Sequence, residues 1–78
     1  MTAAPVECRI LTALLLAPMA AREVASVLSI DQPRACHRLA WLRESGDVRV
    51  FGNTDGKRPA KRYALTHKGR QWATELVA

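Results

Sequence analysis

The chain is poor in aromatic residues, cysteine and acid, and each shortage narrows what it can be. One Phe, one Tyr and two Trp among 78 residues leave aliphatic and alanine packing to build the core. Alanine lets helices approach closely, so a helical domain is expected. Two cysteines, Cys8 and Cys36, cannot make a disulfide framework, and a reduced, cytoplasmic setting is the expectation. The apolar run from Ile10 to Ala17 is too short to span a membrane, and nothing resembles a signal-peptide cleavage site. No low-complexity segment or internal repeat is visible.

Catalytic groups are equally scarce. Seven acids and two His include no carboxylate pair at useful spacing and no Gly-rich phosphate loop ahead of a helix. Cys36 and His37 are neighbours on an expected helix, where successive side chains point about 100° apart, so they cannot form a nucleophile–base dyad. Cys8, Cys36, His37 and His67 fall on three separate elements, with no Cys-x-x-Cys and no i, i+4 ligand pair. No enzyme, metal site or cofactor is therefore expected.

What is present is a compact, basic, mainly helical pattern. Residues 1–78 are expected to form one domain, and the hydrophobic content of 49% suffices for one continuous core. The formal net charge is +5, and its excess is local: Lys57, Arg58, Lys61, Arg62, Lys68 and Arg70 fall in a stretch that has no acid. Such a concentration is the electrostatic footprint of a polyanion partner, although a solvated surface has the same composition.

Apolar spacing predicts a first helix over about 6–17, with Val6, Ile10, Ala13, Leu14 and Ala17 on its inner face and Pro18 as its stop. A second is expected over about 20–28, with Ala21, Val24, Ala25 and Leu28 inside and Ala20 as a poor cap. A third spans about 32–44, begun by Asp31 and Pro33 and stopped by Gly46. Ala35, Leu39 and Leu42 share one side of it. Arg34, His37, Arg38 and Trp41 share another. The period then turns to alternation: Val48 and Val50 point one way, Arg49 and Phe51 the other. A hairpin over about 47–65 is expected, with a loop from Asn53 to Lys61. Thr66 caps a last helix over about 67–77, with Trp72, Ala73 and Leu76 facing inward and Gly69 weakening its first turn.

The segment from Ala21 to Leu39 resembles the helix-turn-helix of bacterial winged-helix repressors of the multiple-antibiotic-resistance and arsenical-resistance regulator families. Glu23-Val24-Ala25 occupies the place of the acid-aliphatic-Ala step, and Leu39-Ala40-Trp41-Leu42 the place of the closing Leu-x-x-Leu. Glu44 to Val48 resembles those families' exit into the wing, and Tyr63 to Arg70 the strand and helix start that follow it. The likeness covers about residues 8 to 76 and departs at Ser29 and Ile30, where a Gly is common. The second helix also lacks the usual Ser or Thr cap. No effector-binding or long dimerisation region accompanies the motif, so no small-molecule effector is carried over.

The resemblance implies a winged helix, mainly α with a small β-hairpin (α+β), in the order helix-helix-helix-strand-strand-helix. It implies a small bacterial or phage transcriptional regulator that binds double-stranded DNA. The third helix would enter the major groove, where Gln32 suits adenine, Arg34 and Arg38 suit guanine or phosphate, and His37 suits a phosphate or base acceptor. Trp41 packs on backbone sugars, the wing or a dimer partner, or covers the edge of the core. Lys57, Arg58, Lys61 and Arg62 in the basic wing 53–62 would follow the backbone or enter the minor groove. One module this small reads little DNA, so a homodimer with the first or last helix as its seam is expected. The alternative is a winged helix used for protein contact without DNA. Such modules usually present apolar or acidic surfaces where this chain places Arg and Lys.

Overall fold

The computed structural model describes residues 5–54, 56 and 59–77. Along it run α1 (Val6–Leu14), β1 (Met19–Ala20), α2 (Ala21–Leu28), α3 (Gln32–Glu44), β2 (Val48–Asn53), β3 (Lys61–Leu65) and α4 (His67–Val77). The expected winged-helix order is present, with one strand more than the sequence suggested. Met19 pairs with Tyr63 and Ala20 with Arg62, so β1 joins the wing hairpin in an antiparallel sheet ordered β1-β3-β2.

The core is aliphatic. Ile10, Leu11, Val24, Leu39 and Val48 are its largest sealed side chains, and Ala13, Ala25, Ala35 and Ala73 are buried among the helices. α1 buries Ile10, Leu11, Ala13 and Leu14. It ends three residues early, however: Leu15 and Leu16 donate to the carbonyls of Thr12 and Ala13 at 3.3 and 3.1 Å, an i to i+3 tightening that closes the helix before Pro18. Leu16 is left 83% exposed.

Both joints around α3 are closed by the same device. At its end the N–H of Asp47 reaches the Leu42 carbonyl at 2.9 Å and that of Gly46 reaches Arg43 at 3.1 Å, with Gly46 at φ 85°. This is the double bond set of a Schellman stop, and it needs a left-handed residue. At the end of α2, Ile30 donates to Ala25 at 3.0 Å and Ser29 to Ser26 at 3.3 Å, with Ser29 in the left-handed region at φ 58°. A serine there carries strain that glycine would not. Ser29→Gly is expected to raise stability by about 0.5–1 kcal/mol, seen as a higher urea midpoint. A lower midpoint would show that this turn is relaxed as it stands.

Capping differs in part from expectation. Asp31 takes the N-cap position of α3, with Pro33 in the first turn, but its side chain makes no cap bond. α2 has no side-chain cap either; instead the Glu23 carboxylate accepts from the Ala20 N–H at 3.0 Å. Thr66 does cap α4, its hydroxyl oxygen accepting from the Gly69 N–H at 3.1 Å. The inner face of α4 is narrower than expected. Ala73 is sealed, whereas Trp72 and Leu76 are 51% and 42% exposed. Gly69 and Ala73 bring the α4 backbone close, and the larger side chains are displaced to its flank.

Candidate nucleic-acid interface

The third helix turns Ala35, Leu39 and Leu42 into the core. At about 100° per residue, the opposite side must then carry Pro33, His37, Ala40, Trp41 and Glu44. Those residues are exposed, and so are Gln32, Arg34 and Cys36. Trp41, at 57% exposure, stands clear of the core rather than covering its edge.

The wing meets this helix along one side. A cleft of about 300 Å3 is lined by Ala21 and Arg22 of α2, Gln32 and Cys36 of α3, and Ala60, Lys61 and Tyr63 at the end of the hairpin. Gln32 and Lys61 are thereby brought together. Arg34, His37 and Trp41 lie outside the cleft, farther round the helix. Arg62 is half-buried on β3, in register with Ala20 on one side and Gly52 on the other. Lys57 and Arg58 lie outside the described residues.

Arg38 is placed differently from its neighbours. Its Nη1 donates to Glu7 Oε1 of α1 at 2.8 Å, and its Nε is buried without a partner. The sector shared by Arg34, His37, Arg38 and Trp41 is therefore split. Arg38 leans against α1, and the other three face solvent. Lys68 is likewise engaged, donating to the Ser45 carbonyl at 2.7 Å beyond the end of α3. None of Arg22, Arg34, Lys61 and Arg62 forms an ion pair with an acid among the described residues.

One cation at this surface, Arg22, carries no signal in the sequence. Arg22 is exposed at the start of α2, and only the return of β3 places it beside the wing. Arg49 stacks over the Phe51 ring at 5.5 Å on the outer face of β2. Alternation puts both on one face, and a bulge leaves Phe51 with no partner opposite, because Val50 pairs with Tyr63 and Gly52 with Arg62. An alternation of Arg and Phe was the available signal.

A second surface lies on the far side of the helices. There α1, the end of α2 and the end of α4 frame an open apolar groove lined by Ala13, Leu16, Val27, Leu28 and Leu76. Cys8, Arg9 and Thr12 also line it. Both cysteines are free thiols, and no group of three His, Cys, Asp or Glu among the described residues is placed to hold a metal. No helix there is long and apolar enough to cross a membrane.

Three helices, a three-strand sheet ending in a hairpin wing and a closing helix define a winged helix-turn-helix domain. Solved structures show the same arrangement. MarR from E. coli, in its apo form, superposes with a TM-score of 0.81 at 23% identity, over 95% of this chain and 55% of that one. ZitR from Lactococcus lactis in complex with DNA gives 0.77 at 20%, over 99% of this chain and 52% of that one. The adhesin competence repressor AdcR from Streptococcus pyogenes gives 0.79 at 17%, over 95% and 55%. The chain thus spans about half the length of these proteins, and at such identities the likeness is one of fold. No protein-family model and no curated protein sequence matches it.

Proposed function

We propose that the chain binds double-stranded DNA as a transcriptional regulator and is not an enzyme. α3 lies in the major groove and the basic wing 53–62 lies on the backbone or in the minor groove. One observation carries the reading: Arg22 at the start of α2, Arg34 in the first turn of α3, and Lys61 and Arg62 at the adjoining end of the wing have no acid paired to them among the described residues. A surface that keeps its cations unpaired retains its full attraction for phosphate. ZitR, of the same fold, has a solved structure in complex with DNA. Gln32, Arg34 and His37 then reach base edges or phosphates, Trp41 stands at the rim, and Lys57, Arg58, Lys61 and Arg62 hold the backbone.

Two half-sites read by two copies would supply the specificity that one small module lacks. The apolar groove beside α1 and α4, where Leu16 and Val27 are 83% and 57% exposed, suits a second copy of this chain. Sedimentation with a selected duplex is expected to show two chains per duplex, and one chain per duplex at high concentration would contradict the pairing.

Fluorescence anisotropy with a labelled duplex at two salt concentrations tests the DNA reading. Lys61→Ala and Arg62→Ala are each expected to weaken binding to every sequence, and to flatten the slope of log K against log salt by roughly 0.9 per lost phosphate contact. Absence of binding to any duplex at low salt would overturn the reading in favour of a protein-contact module.

A further inference from the structure

α1 reaches both members of the helix-turn-helix with two side chains. Arg9 Nη2 donates to the carbonyl of Leu28, the last residue of α2, at 2.9 Å. Glu7 accepts from Arg38, in the middle of α3, at 2.8 Å. These contacts bracket the turn at residues 29–31. Glu7 and Arg38 are 20% and 37% exposed, so the pair is shielded on most sides. The buried, unpartnered Nε of Arg38 shows that its guanidinium is drawn into the seam between α1 and α3. On α3, Arg38 adjoins Leu39 and stands one turn from Ala35 and Leu42. The ion pair therefore ties α3 to α1 just where the core stripe meets the exposed face.

We propose that Glu7 is a positioning residue for DNA recognition. It holds Arg38 and thereby sets the angle at which α3 presents Gln32, Arg34 and His37. The inference rests on the reading of α3 as the helix in the major groove. It assigns Arg38 to the fold rather than to a base or phosphate, and it makes a prediction of unusual sign. A carboxylate on a DNA-binding domain opposes phosphate, so removing one ordinarily tightens binding. Loss of a positioning carboxylate weakens specific binding instead.

The test uses the tightest duplex recovered from a random-sequence pool and an unrelated duplex of equal length. Glu7→Gln is expected to weaken binding to the selected duplex roughly tenfold. Its salt slope should be unchanged, because no phosphate contact is lost. Binding to the unrelated duplex should be equal or tighter. The charge-exchanged pair, Glu7→Arg with Arg38→Glu, is expected to restore most of the lost affinity. Thermal unfolding of each variant separates loss of fold from loss of orientation, and the exchanged pair keeps the test open if Glu7→Gln unfolds. Tighter or unchanged specific binding by Glu7→Gln overturns the proposal. So does Arg38→Ala that flattens the salt slope while the exchanged pair fails to restore binding, since Arg38 would then touch phosphate. A wild-type chain that binds neither duplex removes the DNA reading itself, a result distinct from either of these.

Discussion

Gly69→Ala is expected to destabilise the domain by a net ~1–3 kcal/mol, even though alanine is the better helix former. A Cβ at Gly69 would overlap the Asp47 carbonyl oxygen and come within 2.9 Å of its carbon. That carbonyl is already committed, accepting from the Thr66 N–H at 3.1 Å. Thr66 in turn donates its hydroxyl to the Gly46 carbonyl at 2.6 Å and accepts from the Gly69 N–H. The exit of α3, the start of β2 and the first turn of α4 thus meet within one set of backbone bonds. Neither side can yield without breaking some of them. The helix-propensity gain of about 1 kcal/mol falls short of the strain of moving packed backbone. Urea unfolding checks this, and an unchanged or raised midpoint would mean that α4 does not dock on Asp47.

The largest functional effect is expected from Gln32→Ala combined with Arg34→Ala. Both side chains are exposed in the first turn of α3, the end of a recognition helix that reaches deepest into the groove. Each good bidentate base contact contributes about 1–3 kcal/mol of discrimination. Losing two is therefore expected to lower affinity for a selected duplex by roughly 30-fold to 20,000-fold. Affinity for unrelated duplexes at low salt should fall much less, because on the proposed reading it resides in the cations of the wing and in Arg22. Competition binding with selected and unrelated duplexes measures the contrast. An equal loss on both would place Arg34 on phosphate and Gln32 off the DNA.

The helices that frame the interface were legible in the sequence because their ends carry local signals. Pro33 in the first turn and Gly46 at the stop delimit α3, and Thr66 starts α4, all through backbone chemistry a few residues long. The exposure of Arg34 and His37 follows from helical spacing once Leu39 and Leu42 are taken as core. What escaped depended on distant partners. β1 is two residues with no alternation of their own, and they form a strand only because Tyr63 and Arg62 return beside them. Arg38 has the spacing of a groove residue, but Glu7, 31 residues away, claims its guanidinium. Trp72 and Leu76 match an inward stripe, yet the close approach allowed by Gly69 and Ala73 leaves them at the flank. Arg22 became a candidate only through the cleft it shares with Gln32 and Lys61.

The most direct test of the interface is a titration of the isotope-labelled chain with a short duplex at low salt, following each backbone amide by NMR. Shifts are expected at Arg22, along α3 from Gln32 to Trp41, and at Lys61 to Tyr63, with Glu7 moving through its tie to Arg38. Shifts confined to the apolar groove of Thr12, Leu16, Val27 and Leu76, or none at all, would contradict the assignment of α3 and the wing as a DNA-binding surface.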